Sequence, residues 1–232
     1  MKIESFPRKL FLFRNNLCMF AQTQNELHNM KHMSILAVSL LALVACTPEK
    51  KQEADYSQYV NPMIGTDFTG NTYPGAQVPF GMVQLSPDNG LPGWDRISGY
   101  FYPDTTIAGF SHTHLSGTGA GDLYDISFMP VTRPYKEAPA PLGIYSTFSH
   151  NDEAASAGYY RVLLKDYNIN VELTATERCG IQRYTFPEAE ASVFLNLKKA
   201  MNWDFTLDSK IEVVDSTTIR GYRLSQGWSP LQ

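Results

Sequence analysis

From Tyr59 onward the sequence predicts an all-β fold, an antiparallel sandwich, on three observations. Short runs of alternating or β-branched residues recur at roughly ten-residue spacing. Turn signals rich in Gly, Pro, Asn and Asp separate them. After Cys46 no amphipathic stretch of ordinary helix length appears.

The runs follow in order. Residues 81–85 precede the turn signal Asp88-Asn89-Gly90, 107–114 precede the glycines of 117–121, and 125–131 precede the Pro-rich stretch 134–141. The second half is more regular. Val171, Leu173 and Ala175 alternate with Glu172, Thr174 and Thr176, the pattern of a half-buried strand. Runs at 159–164, 181–186, 191–197, 210–214 and 217–224 continue it. Trp203 and Trp228 are expected in the core, and Cys179, in a strand, as a small buried apolar side chain. The last residues, 221–232, carry no cap, charged tail or closing strand, so the sandwich is expected to be incomplete at its C-terminal end.

Ahead of the β region lies a segment that reads as an address. Met30-Lys31-His32-Met33 gives a basic start, and residues 34–45 form an apolar run too short to span a bilayer with ease. Its end, Leu43-Val44-Ala45-Cys46, resembles a bacterial lipobox. That resemblance implies cleavage before Cys46, lipid on its sulfur and amino group, and a lipoprotein in the periplasm or at the outer-membrane surface. Four segments result: an upstream extension from a misplaced start (1–29), the lipoprotein signal peptide (30–45), a charged tether (46–58) and the β domain (59–232).

Charge narrows the partners. The first 45 residues hold five of the 19 basic and two of the 23 acidic residues, so the remainder carries 14 against 21. Nucleic acid is excluded as an expected partner, because phosphate binding needs a basic patch. Cys18, Cys46 and Cys179 lie far apart and form neither a zinc spacing nor a disulfide framework.

The densest polar stretch is Gly109-Phe-Ser-His-Thr-His-Leu-Ser-Gly-Thr-Gly119. If extended, it sets His112 and His114 on one face, beside glycines that let backbone approach a ligand. The bland reading is a Gly-rich loop with two satisfied histidines. Paired imidazoles suit zinc or copper, but a third ligand is not evident.

Several stretches, taken together, are similar to glycoside hydrolase family 92, exo-acting α-mannosidases. They are 59–66 (Tyr-Val-Asn-Pro-Met-Ile-Gly-Thr), 72–87 (with Pro-Phe-Gly-Met at 79–82), Gly99-Tyr100, 109–119, 148–153, 156–160 and 171–175. The resemblance implies a galactose-mutarotase-like β-sandwich followed by a helical toroid. It implies inverting, calcium-dependent removal of terminal mannose from glycans at the junction of the two domains. The catalytic carboxylates and most calcium ligands belong to the toroid, which is expected beyond residue 232, so no catalytic residue and no metal ligand is assigned to this chain.

The acidic residues agree with that division. An inverting glycosidase needs an acid and a base flanking the scissile bond. Asp88, Asp95, Asp104, Asp122 and Asp125 lie in loop-rich surroundings, but none has an apolar setting, and turn or cap roles are expected. Gly93-Trp94-Asp95-Arg96 instead offers an aromatic face beside a carboxylate and a guanidinium, a combination that holds sugars by stacking and charged hydrogen bonds. The resemblance makes Trp94 a sugar-subsite residue; a core anchor is the other reading. Trp94, Asp95, Arg96, His112 and His114 are therefore the candidate sugar-contacting set. A stand-alone carbohydrate-binding lipoprotein is the alternative function.

Overall fold

A computed structural model describes residues 54–227, apart from 118, 120, 140, 141 and 199–203. The readings made for Cys18, Cys46, Trp203, Trp228, the signal peptide and most of the tether lie outside the described residues. Among those described, no helix is long and apolar enough to cross a membrane.

Among the described residues, fourteen strands run in the order β1 (Ser86–Asp88), β2 (Thr106–Ile107), β3 (Gly109–Ser111), β4 (Ser127–Thr132), β5 (Glu137–Ala138), β6 (Gly143–Ile144), β7 (Ser146–Thr147), β8 (Glu153–Ser156), β9 (Tyr159–Leu164), β10 (Ile169–Ala175), β11 (Gly180–Thr185), β12 (Ala191–Asn196), β13 (Phe205–Val213) and β14 (Ile219–Gln226). Two four-stranded antiparallel sheets, β1-β3-β4-β12 and β11-β10-β9-β8, form the sandwich. Three strand pairs, β13-β14, β2-β7 and β5-β6, complete the fold.

The core arises from alternation. Tyr160, Val162 and Leu164 of β9 and Ile169, Val171 and Leu173 of β10 point inward and are almost wholly buried. They join Phe110, Met129 and Val131 from the first sheet, and Leu85 just before β1, in one cluster. Burying one such side chain stabilises by about 1.5–3 kcal/mol, and this shared face holds the two sheets together. The register Val171↔Val162 and Leu173↔Tyr160 follows, since a one-residue slip would turn the whole row outward.

The first half departs from its sequence pattern in three places. Residues 81–85 make only a bridge, Leu85 to Ala76, and the strand begins at Ser86. Asp88 therefore sits inside β1 opposite Gly109 rather than in a turn, and it is fully buried. The run 107–114 breaks into two short strands and ends at Ser111. Beyond it the backbone bends, with the His112 N–H donating to Asp125 O (2.9 Å). Cys179 is exposed, a correction with a local cause. It lies between β10 and β11, where Thr176 N donates to Cys179 O (2.8 Å) and the reversal turns its side chain outward.

Candidate functional site

The polar centre of the molecule is the His114 side chain, wholly buried with Asp88. His114 Nε2 lies 2.8 Å from Asp88 Oδ1 and 3.1 Å from Ser111 Oγ, while Nδ1 lies 2.7 Å from Gln84 O. Ser, His and Asp meet here without forming a nucleophilic triad. Serine and aspartate contact the same nitrogen, whereas a relay needs one on each. Burial leaves no approach for a substrate, so the cluster is architectural.

That cluster supports the loop that carries Trp94. Gly99 packs on it with φ +90°, and a Cβ there would fall 2.7 Å from Asp88 Oδ1 and 3.0 Å from His114 Cδ2. Only glycine fits both the conformation and the space. Buried Asn89 closes the loop by accepting from Phe101 N (2.5 Å) and donating to Thr106 O (2.7 Å). Tyr124 stands edge-on to His114 at 5.9 Å and donates from its hydroxyl to Ile97 O. It is delivered by a segment in which Leu123, Tyr124 and Ile126 all adopt left-handed φ, 82°, 63° and 56°. Such backbone costs about 1–3 kcal/mol per residue and persists only where neighbours fix it. Tyr73 also packs on His114, tilted, at 5.1 Å, and burial pushes its phenol up to about 12.

On this base Trp94, Asp95 and Arg96 form one 3-10 turn. Trp94 is 50% exposed, which excludes the core-anchor reading and leaves an aromatic face open to solvent. Arg96 has a different engagement. Its guanidinium grips Asp104 with two hydrogen bonds of 2.6 and 2.5 Å and lies 4.6 Å over the Phe101 ring. The Asp104 carboxylate raises the Arg96 pKa and locks the turn in place.

The two histidines do not share a face. His112 points its Nδ1 to Ile126 O (2.9 Å) and stands edge-on to Phe128 at 5.6 Å, close against Gly180. Burial pushes its imidazole below the usual range, so the fold holds it neutral. The candidate set thus divides into a surface turn (Trp94, Asp95, Arg96), a buried support (His114) and a residue packed between strands (His112). Among the described residues no three His, Cys, Asp or Glu side chains assemble into a metal site. Where acids do gather, Arg223 occupies them: it pairs with Asp125 and Asp204 and donates to Thr206 Oγ1 (3.0 Å).

A second group was given no role by the sequence reading. Glu153, whose side chain is 2% exposed, faces His150 Nδ1 at 2.7 Å and accepts from Tyr160 Oη (2.6 Å) and Tyr100 Oη (2.9 Å). His150 and Glu153 fall in 148–153, Tyr100 in Gly99-Tyr100 and Tyr160 in 156–160, all stretches that carry the family resemblance, but nothing local says that they converge.

Residues 59–232 match the family model described as the glycosyl hydrolase family 92 N-terminal domain. The fold resembles a family GH92 α-mannosidase of Bacteroides thetaiotaomicron solved in complex with mannoimidazole, at 42% identity and a TM-score of 0.71 over 75% of this chain and 24% of that one. A family GH92 inverting mannosidase of Bacteroides thetaiotaomicron VPI-5482 is 30% identical, with a TM-score of 0.55 over 70% of this chain and 21% of that one. A secreted glycosidase of Arthroderma benhamiae is 26% identical over 172 residues, 70% of this chain and 21% of the relative. The chain spans between 21% and 24% of the length of these three relatives.

Proposed function

The chain belongs to glycosyl hydrolase family 92, through that family's N-terminal domain, and we propose that it is the sugar-binding part of an inverting, calcium-dependent α-mannosidase that trims terminal mannose from glycans. Trp94 is the observation that carries this reading: an aromatic face half exposed on a turn that Asp104 locks and the Asp88–His114 pair supports from below. Pyranose rings stack on such faces through their C–H groups, and Asp95, on the same turn, accepts from the sugar hydroxyls. The similarity to an α-mannosidase solved with mannoimidazole supports mannose as the sugar.

The acid and base are assigned elsewhere in the parent enzyme, on a helical toroid that packs against this domain. The Asp88 side chain is wholly buried and that of Glu153 nearly so, and both are committed to histidine, with tyrosines besides on Glu153. Asp88 is wholly buried, and Glu153, which shares the lining of one cavity with Asp67, is already engaged by His150, Tyr100 and Tyr160, so neither is the free acid or base that inversion requires. Calcium is likewise assigned to the toroid. It takes six to eight oxygen ligands, commonly several of them carboxylates, and among the described residues no three His, Cys, Asp or Glu side chains gather into a metal site.

Trp94→Ala is expected to weaken binding of mannose-terminated oligosaccharides to the purified chain about tenfold, the loss of a stacking contact of roughly 1–1.5 kcal/mol. Titration calorimetry checks this, and an unchanged affinity would remove Trp94 from the sugar site. We further propose that lipid on Cys46 holds the protein at the periplasmic or outer-membrane surface, the address that the lipobox-like run before it specifies. Cys46→Ser should abolish incorporation of labelled fatty acid and release the protein to the soluble fraction. Persistent labelling would refute the assignment.

A further inference from the structure

A cavity of about 440 Å³ opens beside β8, lined by Asn61, Asp67, Tyr102, His150, Ala154 and Ala155 among others. Its size suits one or two sugar rings. One wall is rigid. The buried Glu153 carboxylate gathers His150, Tyr100 and Tyr160, and burial together with that carboxylate pushes both phenols up, keeping them neutral donors. His150 Nε2 lies 2.7 Å from Tyr102 O, and the two rings stack at 3.9 Å and 8°. The Tyr102 ring is thereby fixed while 39% of the residue stays exposed.

Three other lining residues each keep an atom to spare. Asn61 uses its Oδ1 on Met63 N (3.0 Å) and Asp67 its Oδ1 on Phe68 N (2.7 Å). Among the described residues, Asn61 Nδ2, Asp67 Oδ2 and Tyr102 Oη have no protein partner. The pocket therefore presents one donor, one acceptor and one group that is both, beside a clamped aromatic plate. Adjacent hydroxyls of a pyranose each donate and accept, and its C–H face covers an aromatic ring. The basic group in the lining, His150, is committed to Glu153, and the Asp67 carboxylate repels anions, so a charged sugar acid is disfavoured.

We propose that this pocket is a binding site for a neutral pyranose, and that it does not include Trp94. The inference does not rest on the mannosidase reading, since it concerns a different group of residues and any neutral pyranose. The test is a titration of the ¹⁵N-labelled chain with methyl α-mannopyranoside, methyl β-glucopyranoside and methyl β-galactopyranoside up to tens of millimolar, a range suited to weak single-ring binding. At least one sugar should produce saturable amide shifts at Asp67, Ala154 and Ala155. Asn61→Ala and Tyr102→Ala should each weaken these shifts tenfold or more, and Trp94→Ala should leave them intact. Tyr102→Phe, which keeps the stacked ring, guards against misfolding and should lose affinity only in part. Shifts confined to the Trp94 turn would overturn the proposal while sparing the role of Trp94. No saturable shift at the three pocket amides with any of the sugars would overturn it as well.

Discussion

The His114→Ala variant should unfold about 3–5 kcal/mol more easily than the parent chain, because it strips a fully buried carboxylate of its imidazole. The pair sits where the loops meet, with Gly99, Tyr73 and Tyr124 packed around the ring. Removing the imidazole also opens a cavity among those side chains, which adds to the loss. Denaturant unfolding followed by circular dichroism measures it. If the Asp88 carboxylate is the origin of the cost, His114→Ala combined with Asp88→Ala should be less destabilised than the two single variants added together. A loss below about 1 kcal/mol for His114→Ala would mean that the pair is not what supports the Trp94 turn.

Arg223→Ala should cost a comparable amount, about 3–5 kcal/mol, with a pH dependence of its own. The Arg223 side chain, 1% exposed, ties β14 to Asp204 and to Asp125 in the loop before β4. Without it two acidic groups face each other with no cation between them. Burial already raises the Asp204 pKa above its ordinary 3.8, and Arg223 opposes that shift. A carboxyl whose pKa is raised on folding gives stability that is present below the unfolded value and is lost as the pH rises through the folded one. Removing Arg223 raises the folded value further, so the difference between variant and parent should shrink as the pH falls toward 4. A difference that stays constant from neutral pH down to that point would contradict the assignment.

How much of this was legible in the residues depends on range. The strands from Tyr159 to Asn196 could be read because their buried face is built by alternation, a property of consecutive residues, whereas the mostly exposed β13 begins at Phe205, five residues before the run 210–214. Tyr159–Leu164 is reproduced to the residue, and Ile181–Phe186 and Ala191–Leu197 to within one. Asp88 could not be read. Beside Asn89 and Gly90 it carries every local mark of a turn, and its burial depends on a histidine 26 positions away. The partnership of Arg223 with Asp125 spans 98 positions. The histidine motif of 109–119 was visible as a feature, but its period-two reading failed because β3 stops at Ser111 and sends the two rings to different neighbours. Trp94 was marked by composition and by family resemblance, and its exposure removes it from the core. Glu153 was missed because its partners Tyr100, His150 and Tyr160 come from three separate segments.

On the proposed function, this β-sandwich grips sugar without carrying the groups that cut it. The most direct test is the hydrolysis of an α-mannobioside by the purified chain, with and without added calcium. The expected result is no release of mannose above the uncatalysed rate in either condition, with Trp94→Ala making no difference. A calcium-dependent release of mannose by the chain that disappears in Trp94→Ala would contradict the claim.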